Sequence, residues 1–120
     1  MKYVDGFVIP LKKKNLKAYL KMAQWGAKTW KKYGALEYFE CVGDDLKAHK
    51  GMGQGFGKLA KLKRDETVVF SWIVYKSKAH RDAVNKKVMS DTSMKDFDQK
   101  TMPIDMKRFV YGGFKPIVEA

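Results

Sequence analysis

Three side chains in this sequence have both the chemistry and the surroundings for proton transfer: His80, Asp5 and Glu40. His80 shares one arc of a helix with Ala79, Ala83, Val84 and Val88, given 3.6 residues per turn. That arc aims the imidazole at a sheet, or at the gap between helix and sheet, where its titration range suits acid–base work. The same position also fits a core histidine bonded to a carbonyl or a carboxylate. Asp5 lies in mid-strand between Tyr3 and Phe7, and Glu40 sits in the corresponding part of a second strand beside Tyr38 and Val42. A carboxylate in such company must be paired, hydrated in a cavity or protonated, because burial disfavours its charge. The structural alternative pairs these acids with Arg108 or a marginal lysine. Trp72 and Tyr111 are the aromatic residues expected beside them in a ligand cleft. Cys41 is expected to point away from Glu40 towards the helices, where it is either a thiolate partner for His80 or a small buried thiol.

Other patterns carry less. His49 and His80 stand 31 positions apart with no ligand spacing, so no metal site is read. His80-Arg81-Asp82 matches a kinase tripeptide but opens a helix in a chain too short for that fold. The glycines from Gly51 to Gly57 have neither dinucleotide nor P-loop spacing, and no cofactor is implied. Lys13, Lys14, Lys17, Lys21, Lys28, Lys31 and Lys32 fall within an arc of roughly 100° on the first helix, bordered by Met22 and Trp25. Lys13, Lys17, Lys21 and Lys28 with Trp25 could hold phosphates and stack a base; the same arc also reads as a solvated face.

The elements that must position these residues follow from periodicity. Lys2–Ile9 reads as a strand ended by Pro10. A helix follows from Asn15 to Tyr33, terminated by Gly34, with Leu16, Tyr19, Leu20, Ala23, Ala27 and Trp30 inward. Leu36–Val42 forms a second strand, and a lysine- and glycine-rich connection with a turn near Leu59 leads to a third at Thr67–Tyr75. Ser77 caps a second helix reaching Ser90. Met94–Asp105 holds one further turn, and Arg108–Val118 is the last strand. The third strand is apolar on both faces, so both need cover.

The order strand-helix-strand-strand-helix-strand gives an α+β, ferredoxin-like plait with a four-stranded antiparallel sheet. Crossovers are expected from strand one to three and from two to four, with both helices on one face. Phe70, Trp72 and Val74, with Tyr3, Phe7 and Tyr111, are assigned to the other face. That much exposed aromatic surface calls for a second copy of the chain.

The chain has 120 residues, 45% of them hydrophobic, enough for one domain with a true core. Its net charge of +12 is carried mostly by lysine, with Arg64, Arg81 and Arg108 the only arginines. Lysine is a hydrated point charge, which argues against sequence-specific nucleic-acid readout. The single cysteine fits a reducing compartment. The first residues, MKYVDGFVIPLKKK, do not read as a leader, and no run approaches the ~20 apolar residues of a membrane span. A cytoplasmic protein is expected.

The runs KYVDGFVIP, ALEYFECVGDD, ETVVFSWIVYKSKAHRDAVNKKVM and MPIDMKRFVYGGFK resemble the YbaA-like family of small bacterial proteins of unknown function, within the dimeric α+β barrel superfamily. The resemblance spans nearly the whole chain and departs from the family pattern between Lys50 and Gly57. It implies the plait and a face-to-face homodimer, and no defined activity. Three functions follow as expectations. The first is a small-molecule binder or cofactor-independent enzyme using the cleft between sheet and helices. The second is a weak, sequence-indifferent RNA or polyanion binder using the first-helix lysines, and the third an interaction or stress-related dimer with no ligand.

Overall fold

The computed structural model describes residues 1–96 and 102–120. Strand β1 (Tyr3–Lys12) leads into helix α1 (Leu16–Lys32) and strand β2 (Glu37–Val42). A short helix α2 (Phe56–Leu59) precedes strand β3 (Glu66–Tyr75), helix α3 (Lys78–Met89) and strand β4 (Val110–Phe114). The sheet order is β2-β3-β1-β4, and all three pairings are antiparallel. This is the ferredoxin-like plait. The crossovers differ from expectation: α1 joins β1 to β2, and α3 joins β3 to β4, each passing over one strand. The reason is geometric, since β1 and β3 are antiparallel neighbours and only the parallel pairs need a helical crossover.

Strand β1 runs through Pro10, which is fully buried and pairs with Val68. Two features make the proline tolerable. The β4 pairing ends at Val8 opposite Val110, so no partner awaits the missing N–H on that side. On the other side Lys13 N donates to Asp65 O, so residues of Lys13's parity, and not Pro10, serve β3. Strand β4 spans Val110–Phe114 and not the expected Arg108–Val118, and the Arg108 side chain is committed elsewhere. Its guanidinium donates to Glu66 Oε2 at 2.6 Å and to the carbonyls of Ala60 and Lys61 at 2.9 Å. The turn expected between Met94 and Asp105 falls partly outside the described residues; a 3-10 turn occupies Thr92–Asp96.

Both long helices pack on one face. Tyr19 and Ala23 of α1 meet Ile9, Leu11 and Val69, while Val84 and Val88 of α3 meet Ile73 and Tyr75. The inward stripe of α1 is rotated from the expected one: Tyr19, Ala23, Gly26 and Thr29 are buried, whereas Leu20 is 53% exposed. Gly26 and Thr29 escape an apolar count, yet the first admits a neighbouring ring and the second bonds its own helix, Oγ1 donating to Trp25 O. Helix α3 is rotated too. Its Ser77 cap accepts from His80 N at 3.0 Å, and Ala79 and Ala83 are exposed.

Register settles the faces. Phe7 lies opposite Ser71 and Tyr111, and Tyr3 opposite Tyr75, so Tyr3, Phe7 and Tyr111 stand on the helix side and not on the open face. The open face carries Phe39, Cys41, Phe70, Trp72, Val110 and Phe114. Phe39 stacks on Trp72 with centroids 5.0 Å apart, and Phe56 of α2 meets Phe70 edge-on at 5.5 Å.

Candidate functional site

Between the sheet and the two helices lies a cavity of about 440 Å³. Its floor is the helix-side face of the sheet, including Asp5, Phe7, Glu40 and Tyr75. Trp25 and Trp30 of α1, Arg81 and Asn85 of α3, and the segment from Met102 to Phe109 form its walls. Strand alternation explains the floor: Tyr38 and Glu40 are two apart on β2, so both side chains emerge on the helix side.

The carboxylates and most other polar groups in the cavity are held by partners. Tyr19 Oη donates to Glu40 Oε1 at 2.5 Å, and Tyr38 Oη donates to Glu40 Oε2 at 2.6 Å. Burial, reinforced by the Glu40 charge, pushes both phenols far above their ordinary range, so they remain donors. Arg81 Nη1 donates to Asp5 Oδ1 at 2.6 Å and Arg81 Nε to Asp82 Oδ1 at 2.7 Å. Burial raises Asp5 above its ordinary value of 3.8, against the opposing pull of Arg81. Asn85 Oδ1 accepts from Trp30 Nε1 at 3.0 Å and Tyr75 Oη at 3.3 Å. Trp25 Nε1 donates to Ser93 Oγ at 2.7 Å. Among the described residues no buried side-chain nitrogen or oxygen lacks a partner.

The candidates read from sequence separate into groups. Asp5, Glu40 and Tyr111 line the cavity. Trp72 lies across the sheet from it, because the register sets Trp72 beside Gly6 and Phe39. Cys41 pairs with Phe70 and is exposed on the same open face. A sheet therefore separates its thiol from His80, and the thiolate–imidazole pair is excluded. His80 sits at the margin of α3, where Nδ1 accepts from Lys76 N at 3.0 Å and the ring meets Tyr75 edge-on. Its role is to close the β3–α3 turn, one residue position short of the cavity-facing Arg81. Trp25 points into the cavity and not along the lysine stripe, while Lys13, Lys17, Lys21 and Lys28 are exposed. Among the described residues no cluster of three or more metal-ligating side chains occurs.

Sequence reasoning passed over Arg81, Asn85, Tyr19 and Tyr38 as site residues. One signal was present: a tyrosine two positions before a glutamate on a strand shares its face. A second feature is Gly26. An ideal Cβ there would lie 2.3 Å from Tyr38 Oη, so the glycine lets that hydroxyl reach Glu40 beneath the helix. Alanine is the better helix former by roughly 1 kcal/mol, yet its methyl would push Tyr38 off its acceptor. Overpacking of this kind costs about 1–3 kcal/mol. Gly26→Ala is expected to lower the melting temperature, and adding Tyr38→Phe to recover part of the loss. A Gly26→Ala protein at least as stable as the wild type would show that Tyr38 is not pinned there.

The strand order and the face that carries the helices define an α+β protein of the ferredoxin-like class. The solved structures it is similar to agree on the fold. A dimeric ferredoxin-like protein from an uncultured marine organism matches with a TM-score of 0.62 at 17% identity, covering 99% of this chain and 98% of that one. An uncharacterized NIPSNAP domain protein from Burkholderia xenovorans matches with a TM-score of 0.59 at 14% identity, covering 98% and 97%. Within that class the chain belongs to the family described as "Protein of unknown function (DUF1428)", which matches residues 2–106. It is 45% identical over 119 residues to "Uncharacterized protein YbaA" of Escherichia coli strain K12, covering 99% of both chains.

Proposed function

We propose that this single domain binds a small organic molecule in the cavity between sheet and helices, and that it works as a homodimer in the cytoplasm. The cavity carries the reading. Protein interiors are packed nearly as tightly as organic crystals, with few voids larger than a water molecule. A space of about 440 Å³ lies in the range of ligand pockets, which are mostly apolar with a few placed polar groups. Here the apolar wall is aromatic and methionine-rich, and the polar corners are Glu40 and the Asp5–Arg81 pair. Those two carboxylates are the groups placed to move a proton if the bound molecule is also transformed. Native mass spectrometry of protein purified from its own host tests the reading. A retained non-covalent mass is the expected result; an empty protein whose tryptophan fluorescence answers to no added compound would remove it.

The open sheet face supports the dimer. Phe39, Phe70, Val110 and Phe114 are between 44% and 61% exposed there, around Trp72. An apolar patch of this kind marks an interface, and a structural neighbour is described as dimeric. A two-fold axis would set the same patch of each copy against the other. The polyanion reading loses its stacking aromatic once Trp25 is placed in the cavity, which leaves the α1 lysines as a solvated face. No described helix is long and apolar enough to cross a membrane.

A further inference from the structure

We infer that the molecule bound in this cavity carries a cationic nitrogen, an amine on an apolar or aromatic body, with Glu40 as its counter-charge. The inference rests on the small-molecule reading above and adds the chemical class. Among the described residues Glu40 is hydrogen-bonded but has no cationic partner. Its two donors are phenols, which satisfy lone pairs without contributing positive charge, and each carboxylate oxygen retains a second acceptor site. Ion pairs among the described residues join Asp5 and Asp82 to Arg81, Glu66 to Arg108, Asp91 to Lys32 and Glu119 to Lys2; none involves Glu40. The cavity's arginine is already held by two aspartates.

Aromatic rings continue from this carboxylate along the wall. Trp30 lies 6.0 Å from the Tyr38 ring, and Trp25 lies 6.0 Å from Trp30. The electron-rich faces of tryptophan and tyrosine attract cations, most strongly where water is excluded. A carboxylate at one end and tryptophan rings in the same cavity wall form the recognition set for an ammonium group with an apolar remainder. An acid would meet like charge at Glu40, and a neutral molecule would leave that charge uncompensated. The overall charge of +12 does not reverse this preference. The lysines of α1 are exposed, and solvent charges are screened beyond about 8–10 Å at physiological salt.

Three probes of matched shape test the inference on the intact protein at neutral pH: 2-phenylethylamine, 2-phenylethanol and 3-phenylpropionate, followed by tryptophan fluorescence and calorimetry. The amine should bind at least about tenfold more tightly than either other probe, as a charge-assisted bond plus cation–π contact implies. In Glu40→Gln the preference for the amine over the alcohol should collapse. Equal or tighter binding of the alcohol or the acid by the unaltered protein overturns the amine inference and leaves the binding reading standing, and this comparison needs no variant to fold. Retention of the amine preference in folded Glu40→Gln also overturns it. Silence from all three probes, with no retained mass from the host, removes the cavity reading and this inference with it.

Discussion

Replacing Trp72 with aspartate is expected to convert the proposed dimer into a folded monomer. Trp72 stands at the middle of the open face, flanked by Phe39 at 5.0 Å and Phe70 at 5.6 Å between ring centroids. None of the three belongs to the two clusters that hold the helices on the sheet, so the domain keeps its core when the indole is removed. A two-fold interface would receive the change twice. Burying an unpaired carboxylate costs several kcal/mol, and about 4 kcal/mol already raises Kd roughly a thousandfold. Sedimentation or light scattering should report half the wild-type mass, with the far-ultraviolet dichroism unchanged. A variant that retains the wild-type dimer mass would place the interface somewhere other than the open sheet face.

That face was legible because β3 needs no partner to declare itself: Val68, Phe70, Trp72 and Val74 alternate with Val69, Ile73 and Tyr75, so both sides are apolar by inspection. The start of α3 at Ser77 and the end of α1 before Gly34, with its φ of +112°, were legible for a related reason. Caps and terminators act over one turn, and one turn of sequence contains them. Helix phase was harder, since Gly26 and Thr29 are buried without being apolar and Leu20 is exposed without being polar. The face of a strand needs its register, which is why alternation alone puts Tyr3, Phe7 and Tyr111 on the wrong side. The site itself joins residues far apart in the chain. Asp5 and Arg81 are separated by 76 positions, and no local pattern links an acid in the first strand to a base in the last helix. What the sequence could supply was the demand: a carboxylate among Tyr3, Phe7 and Ile9 must find a cation, a cavity or a proton, and the fold supplies the first two.

Arg81→Met is expected to destabilise the protein most near neutral pH, and progressively less in acid. Methionine keeps most of the apolar stem and removes the charge. The pair is largely enclosed, with 20% of the arginine side chain and 10% of the aspartate side chain exposed. Removing one partner of such a pair leaves an uncompensated carboxylate and costs about 3 kcal/mol, the lower end for buried pairs, because Asp5 borders the cavity. Burial already raises Asp5 above its ordinary 3.8, and Arg81 is the main opposing influence. Without Arg81 the folded value climbs further. A carboxyl whose folded pKa exceeds its unfolded one binds protons more tightly when folded, so stability falls as pH rises through that window and recovers as pH falls towards 3.8. The stability gap between wild type and variant should therefore narrow from pH 7 down to the ordinary aspartate range. Glu66 has the opposite sign, held down to about 2 by the hydrogen bond from Arg108. Its contribution is present above the ordinary glutamate value of 4.5 and is lost as pH falls towards 2, but both proteins share it and it cancels in the comparison. Adding Asp5→Asn to Arg81→Met replaces the stranded charge with a neutral amide and should restore part of the loss at pH 7. Thermal melts across pH on the three proteins decide the matter: parallel curves, or no rescue by Asp5→Asn, would mean that the carboxylate is solvated through the cavity and that Arg81 contributes packing instead of charge.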